Sequence, residues 1–150
     1  MQLPTVLPAQ HDMLCDLFRR RAGHSPERLA VGLHSVGFLA KTTHEAAEIF
    51  FPGYAHTFTE IGKERGWPPA IGAQFDALRG PTGALLIGDA KTVAKKILYA
   101  SDVLGGISRA TFQMGVSTLA HQKMLEAIEI LGTQVAPIVR NELRVTSVRA

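Results

Sequence analysis

The sequence predicts an α/β fold. Two apolar stretches with strand character, residues 29–35 and 108–114, alternate with longer segments whose apolar residues recur at helical spacing. The breaks between these segments fall at glycines, prolines and capping residues, as they do where parallel strands are covered by helices. The chain of 150 residues is 46% hydrophobic and 19% charged, which suits a single domain, residues 1–150, with a sizeable core.

In chain order, residues 1–9 hold Pro4 and Pro8 and read as an irregular lead-in. Residues 11–22 place Met13, Leu14, Leu17 and Phe18 on one helical face, and Gly23 ends that helix. In residues 29–35, Leu29, Val31 and Leu33 alternate with smaller neighbours, the pattern of a strand. Thr42 precedes Glu45 by three positions, the spacing of a capping box, and Ala46, Ile49, Phe50, Ala55, Phe58 and Ile61 carry a long helix over residues 43–63. Pro52 lies inside it and is expected to kink it just after Phe51. Residues 64–84 are rich in Gly and Pro and read as an irregular loop anchored by Trp67 and Phe75.

After a short apolar run, residues 85–87, Asp89 is placed to cap a helix carrying Val93, Ile97 and Leu98, which Gly105-Gly106 ends. The second strand follows. Residues 120–131 then form an amphipathic helix with Met124, Leu125, Ile128 and Leu131 inward, stopped by Gly132. The final residues, with 141–150 as a tail, fit strand, turn or docking segment equally.

Composition excludes several functions. The excess of sixteen basic over thirteen acidic residues is scattered, without the continuous basic face and stacking aromatics of a nucleic-acid groove. Cys15 is the only cysteine, so no internal disulfide forms, and a reducing compartment suits it. No run approaches a membrane span and the first residues lack a signal-peptide pattern, so no membrane contact and a cytoplasmic location are expected. His44-Glu45-Ala46-Ala47-Glu48 lacks the second histidine of a zinc-binding H-E-x-x-H, and no metal site is expected.

Four blocks in order, RLAVGLHSVGFLAKTTHEAAEIFFPGY, GKERGWPP, GALLIGDAKTVAKKILYASDVLGG and FQMGVSTLAHQKMLEAIEILGTQVAPIVR, carry a family resemblance from about His11 to Arg140. They resemble the C-terminal portion of bacterial luciferase-like flavin-dependent monooxygenases. The resemblance implies an incomplete (β/α)8 TIM barrel, its last two strand–helix units, since a whole barrel takes roughly 250 residues. It implies FMN or a deazaflavin as cofactor and a small organic molecule as substrate, oxygenated with dioxygen. The chain departs from the family at two points. Gly88-Asp89-Ala90-Lys91 stands where Gly-Ser-Pro-Glu is usual, and Gly115 to Gln122 stands where Asp-Val-Gly-Thr-Leu-Pro-His-Glu is usual.

On this reading His34 and Ser35, and Gln113 and Met114, fall at the C-terminal ends of the two strands, where barrel enzymes hold ligands. Gln113 offers an amide to a flavin's pyrimidine edge and Met114 a thioether to its ring, or either merely fills the barrel, while His34 and Ser35 face the ring or serve only as strand-end hydrogen-bonding groups. Ser117 and Thr118 are expected to cap the last helix, with an anion at the helix start as the alternative. His121 in its first turn is a capping or surface residue, and no catalytic residue is assigned. Two functions are thus expected: a flavin-dependent monooxygenase, or a non-catalytic, self-associating barrel fragment or remnant with weak or no flavin binding. In either, the open strand edges of a partial barrel imply a homo-oligomer.

Overall fold

The computed structural model describes residues 30–149, with the side chains of 145–149 excepted. The helix expected over residues 11–22 lies outside the described residues, as does Leu29. Three parallel strands form a sheet in the order β2-β1-β3, with β1 (Gly32–Leu39) between β2 (Leu86–Gly88) and β3 (Arg109–Gln113). The helices are α1 (Thr43–Arg65), α2 (Gly72–Arg79), α3 (Ala90–Val103), α4 (His121–Ile130) and α5 (Ala136–Arg149). The first half of β1 pairs with β3, from Gly32 opposite Arg109 to Val36 opposite Gln113. Its second half pairs with β2, from Gly37 opposite Leu86 to Leu39 opposite Gly88.

β1 therefore begins and ends later than its alternating leucines and valines suggest. Its second half, Gly37-Phe38-Leu39, is buried on both faces and so shows no alternation, as expected for a covered parallel strand. Gly37 is required there: a Cβ would overlap the Phe112 ring of β3 and lie 2.9 Å from the Leu86 carbonyl. One consequence is that His34 and Ser35 stand in the middle of the strand, and Leu39-Ala40 form its C-terminal end.

α1 starts as its sequence dictates, with the Thr42 hydroxyl accepting from the Glu45 N–H at 3.1 Å. It continues as α-helix through Pro52 and stops at Gly66, whose φ of 67° is the left-handed conformation that glycine adopts without steric cost. Its buried face carries an aromatic column. Phe50 stacks on Phe38 of β1 at 5.3 Å between centroids, and Tyr54 meets Phe75 at 5.1 Å and Phe58 at 4.5 Å. Burial raises the Tyr54 pKa above the usual phenol value. Trp67 is only half-buried, packed over Gly62 with Arg65 5.0 Å above its ring, so Phe75 is the deeper anchor.

Three expectations need correction. Residues 64–84 are not loop throughout, because α2 forms within them. Its start, Ile71, makes no capping bond, and the helix is held instead by burial of Phe75 and by Lys96, whose ammonium donates to the carbonyls of Arg79, Gly80 and Leu85. Gly132 does not stop the last helix. The chain passes through a π-helical turn, Leu131–Val135, directly into α5. The wider turn precedes Pro137, whose ring would crowd the Thr133 carbonyl in a regular helix. Finally, α4 buries Ala127 and packs Met124 and Leu131 against the core, whereas Leu125 and Ile128 are 46% and 49% exposed. The small Ala127 side chain, not the larger ones beside it, marks the line of closest packing.

α1 packs against β1 and β2, α3 against β2, α4 against β1, and α5 against α3. Among the described residues, no helix is long and apolar enough to cross a membrane.

Candidate functional site

Two features meet along β1. The first is an open, polar stretch of the sheet. Strand alternation and the β1–β3 register put His34 beside Thr111 and Val36 beside Gln113 on one face. His34, Thr111 and Gln113 are exposed and Val36 is half-buried between them. The other face carries Ser35 and Phe112, and there the side chains are committed to packing. The Ser35 hydroxyl donates to the carbonyls of Ala84 and Val36, and Met114, just beyond β3, is 7% exposed in the core. The four expected site residues thus separate into two exposed side chains, His34 and Gln113, and two that hold the strands from behind.

The second feature is a cleft of about 630 Å³ at the C-terminal ends of β1 and β2, within the size range of small-ligand sites. Phe38, Leu39 and Ile49 form its apolar floor, the starts of α1 and α3 one wall, and α4 the other. Parallel α/β sheets bind ligands at this end of their strands. Four residues separate His34 from Phe38, about 13 Å along an extended strand, so the polar stretch leads toward the cleft. None of the four sequence-predicted residues lines the cleft itself.

The two helix starts beside the cleft are fastened to each other. The Asp89 carboxylate accepts from the Thr92 N–H at 2.8 Å and from the Thr43 hydroxyl at 2.7 Å, and the Thr43 hydroxyl accepts in turn from the Asp89 N–H at 3.2 Å. Burial by itself would raise the Asp89 pKa; the hydrogen bonds from Thr92, Thr43 and the Lys91 N–H outweigh it and leave the carboxyl below its usual range. Lys41, Lys91 and Lys123 line the cleft together with Glu45, Asp89, Glu126 and Glu129. Lys123 is paired with Glu126 at 2.8 Å. With the two signs so nearly matched, the cleft is no simple anion trap, and its apolar floor is the more distinctive surface.

Sequence reasoning located Asp89 and Thr42 through their capping spacing. It missed the cleft, because Lys41, Glu126 and Glu129 carry no local signal and are joined only by the packing of α4 over the strand end. It also misplaced Ser117 and Thr118. α4 begins after Ala120 without a side-chain cap, since a turn closed by the Leu119 N–H on the Val116 carbonyl intervenes. Among the described residues, no group of three His, Cys, Asp or Glu side chains comes together as a metal site, and His44 pairs with Glu48 at 3.1 Å on the surface.

No family model and no curated relative matches the sequence. Solved structures do match the fold. The crystal structure of the monooxygenase RslO1 from Streptomyces bottropensis aligns over 89% of this chain and 40% of its own, with a TM-score of 0.68 and 17% identity. The oxygenating constituent of 3,6-diketocamphane monooxygenase from the CAM plasmid of Pseudomonas putida, a type II Baeyer-Villiger monooxygenase in complex with FMN, aligns over 87% of this chain and 40% of its own, with a TM-score of 0.61 and 19% identity. The mixed α/β architecture with its small parallel sheet is therefore shared with part of each of these proteins, and the chain spans 40% of the length of either.

Proposed function

We propose that this chain is the C-terminal part of a luciferase-like flavin-dependent monooxygenase, its β1 and β3 being adjacent strands of an incomplete (β/α)8 barrel. The observation that carries this reading is the alignment of nearly the whole described fold on two monooxygenases at TM-scores of 0.68 and 0.61. The cofactor is FMN, as in the second of these structures. The exposed stretch of β1 and β3 suits the isoalloxazine ring: it offers a half-buried aliphatic patch at Val36 flanked by the hydrogen-bonding groups of His34, Thr111 and Gln113.

Bound there in its reduced form, the flavin supplies the electrons that activate dioxygen for oxygenation of a small organic substrate. The chain's own residues bind and orient. The Gln113 amide both donates and accepts, matching the alternating donors and acceptors of the pyrimidine edge, and His34 supplies a second polar contact. On the opposite face Ser35 bonds the Ala84 carbonyl ahead of β2, and Met114 is buried in the core. Ile49 and Ile130 offer the substrate's hydrocarbon part apolar contacts within the cleft.

A second copy of the chain belongs to the same proposal. Among the described residues β3 has no second strand partner, and Leu125 and Ile128 expose apolar surface on α4. Equilibrium dialysis of the chain against FMN tests the cofactor assignment: saturable uptake supports it, and uptake no greater than that of an unrelated protein contradicts it.

A further inference from the structure

Pro52 and Gly53 stand together in the middle of the 23-residue helix α1, two residues that helices disfavour. The fold shows why the glycine is there. A Cβ on Gly53 would lie 2.7 Å from Val116 Cγ2, 2.7 Å from Thr118 Oγ1 and 3.2 Å from Val116 Cβ. Both neighbours are β-branched and stiff about χ1, so neither swings aside cheaply. The helix is notched at this point to admit the loop that follows β3.

One turn further along the same face, Thr57 engages the same loop. Its hydroxyl accepts from the Ser117 N–H at 3.2 Å and donates to the Ser117 hydroxyl at 3.4 Å. Three consecutive residues, Val116, Ser117 and Thr118, are thus gripped by two positions of α1. The loop joins β3 through Gly115, which is exposed and has open space around it, only two residues beyond Gln113. Met114 anchors the end of β3 in the core, and beyond it Gly115 has no side chain of its own to fix the direction in which the chain leaves the sheet.

We propose that Gly53 and Thr57 are positioning residues: by seating the loop 115–119 they fix the end of β3 and so the reach of the Gln113 amide on the ligand face. This rests on the flavin reading above. The grip is one close apolar contact and two long, exposed hydrogen bonds, so it belongs among the weaker contacts of the fold and opens before the core does.

The test uses the full chain carrying Gly53→Ala, Thr57→Val, or Gly53→Ala together with Val116→Ala, which removes the methyl groups that the new Cβ would meet. Amide hydrogen exchange reads the loop directly, and FMN fluorescence quenching reads the ligand face. The expected result is that Thr57→Val speeds exchange at Ser117 roughly fivefold, the loss of one ordinary hydrogen bond, while β2 amides keep their rates. FMN affinity falls in both single variants and returns in Gly53→Ala/Val116→Ala. Unchanged loop exchange overturns the proposal, and so does FMN binding that is equal in the parent chain and both single variants. Faster loop exchange with no FMN response even in the parent chain supports the grip and overturns the flavin reading instead.

Discussion

The Lys96 ammonium donates to the carbonyl of Leu85 at 2.6 Å, and also to those of Gly80 at 2.6 Å and Arg79 at 3.0 Å, tying the C-terminal end of α2 to the entry of β2 from a site only 5% exposed. Three acceptors match the three protons of an ammonium group, and a positive charge at a helix C-terminus complements its dipole. Lys96→Met is expected to destabilise the fold by roughly 2 kcal/mol, since the carbonyls of Arg79, Gly80 and Leu85 are left without their donor in a buried site. Urea unfolding at neutral pH checks this.

The same lysine sets a pH dependence. Burial, aided by repulsion from Arg79, lowers its pKa from 10.5 to about 8. Between those values the unfolded chain holds a proton that the folded chain has released, so this group's contribution to stability rises with pH from about 8 to 10.5. The stability difference between the parent chain and Lys96→Met should widen across that window. A difference that stays flat or narrows would show that the three carbonyls hold the ammonium charged throughout.

At Asp89 the sign leads to an acid transition. Its pKa is lowered in the fold, so its stabilisation is complete above the ordinary carboxyl range and is lost as pH falls through the depressed value. Asp89→Ala is expected to cost about 1 kcal/mol at neutral pH as a lost helix cap. Asp89→Asn retains a capping side chain and should cost less, while abolishing the carboxyl's share of the acid dependence. Chemical unfolding of both variants at pH 7 and pH 3 separates these effects.

Gly37→Ala tests the closeness of β1 to its neighbours. The added methyl collides with the Phe112 ring and crowds the Leu86 carbonyl, backbone that cannot move without breaking the β1–β2 pairing. A loss of about 1–3 kcal/mol is expected, as for other overpacked cores, measured as a fall in the urea midpoint with little change in slope.

Sedimentation at micromolar concentration is expected to show at least a dimer, given the edge of β3 that no strand among the described residues pairs and the exposed Leu125 and Ile128. A compact monomer would contradict the proposed self-association.

Local signals in the sequence were faithful where one residue decides the outcome. Thr42 and Asp89 cap the helices their spacing indicates, and Gly105-Gly106 follows the end of α3. The alternation in β1 placed the strand but not its end, because Phe38 and Leu39 are covered on both faces and the period disappears there. α2 was hidden by the surrounding glycines and prolines, since its support comes from Lys96, far along the chain. The cleft was illegible for the same reason: Glu126 and Glu129 come to line one cleft with Lys41 through the packing of α4 on β1, which no local pattern reports. Ser117 and Thr118 drew attention as caps, while their contacts run to Gly53 and Thr57, about sixty residues earlier, which no local pattern reports.

The most direct test of the account is an FMN fluorescence titration of the purified chain alongside His34→Ala and Gln113→Ala. The account predicts a weak but saturable quench in the parent chain that is reduced in each variant, because the proposal sets the flavin ring against His34 and Gln113 and assigns no phosphate-binding group among the described residues. An absent quench, or one identical in all three proteins, would contradict the placement of the flavin on this face; a yellow protein that keeps stoichiometric flavin through gel filtration would contradict the expected weakness.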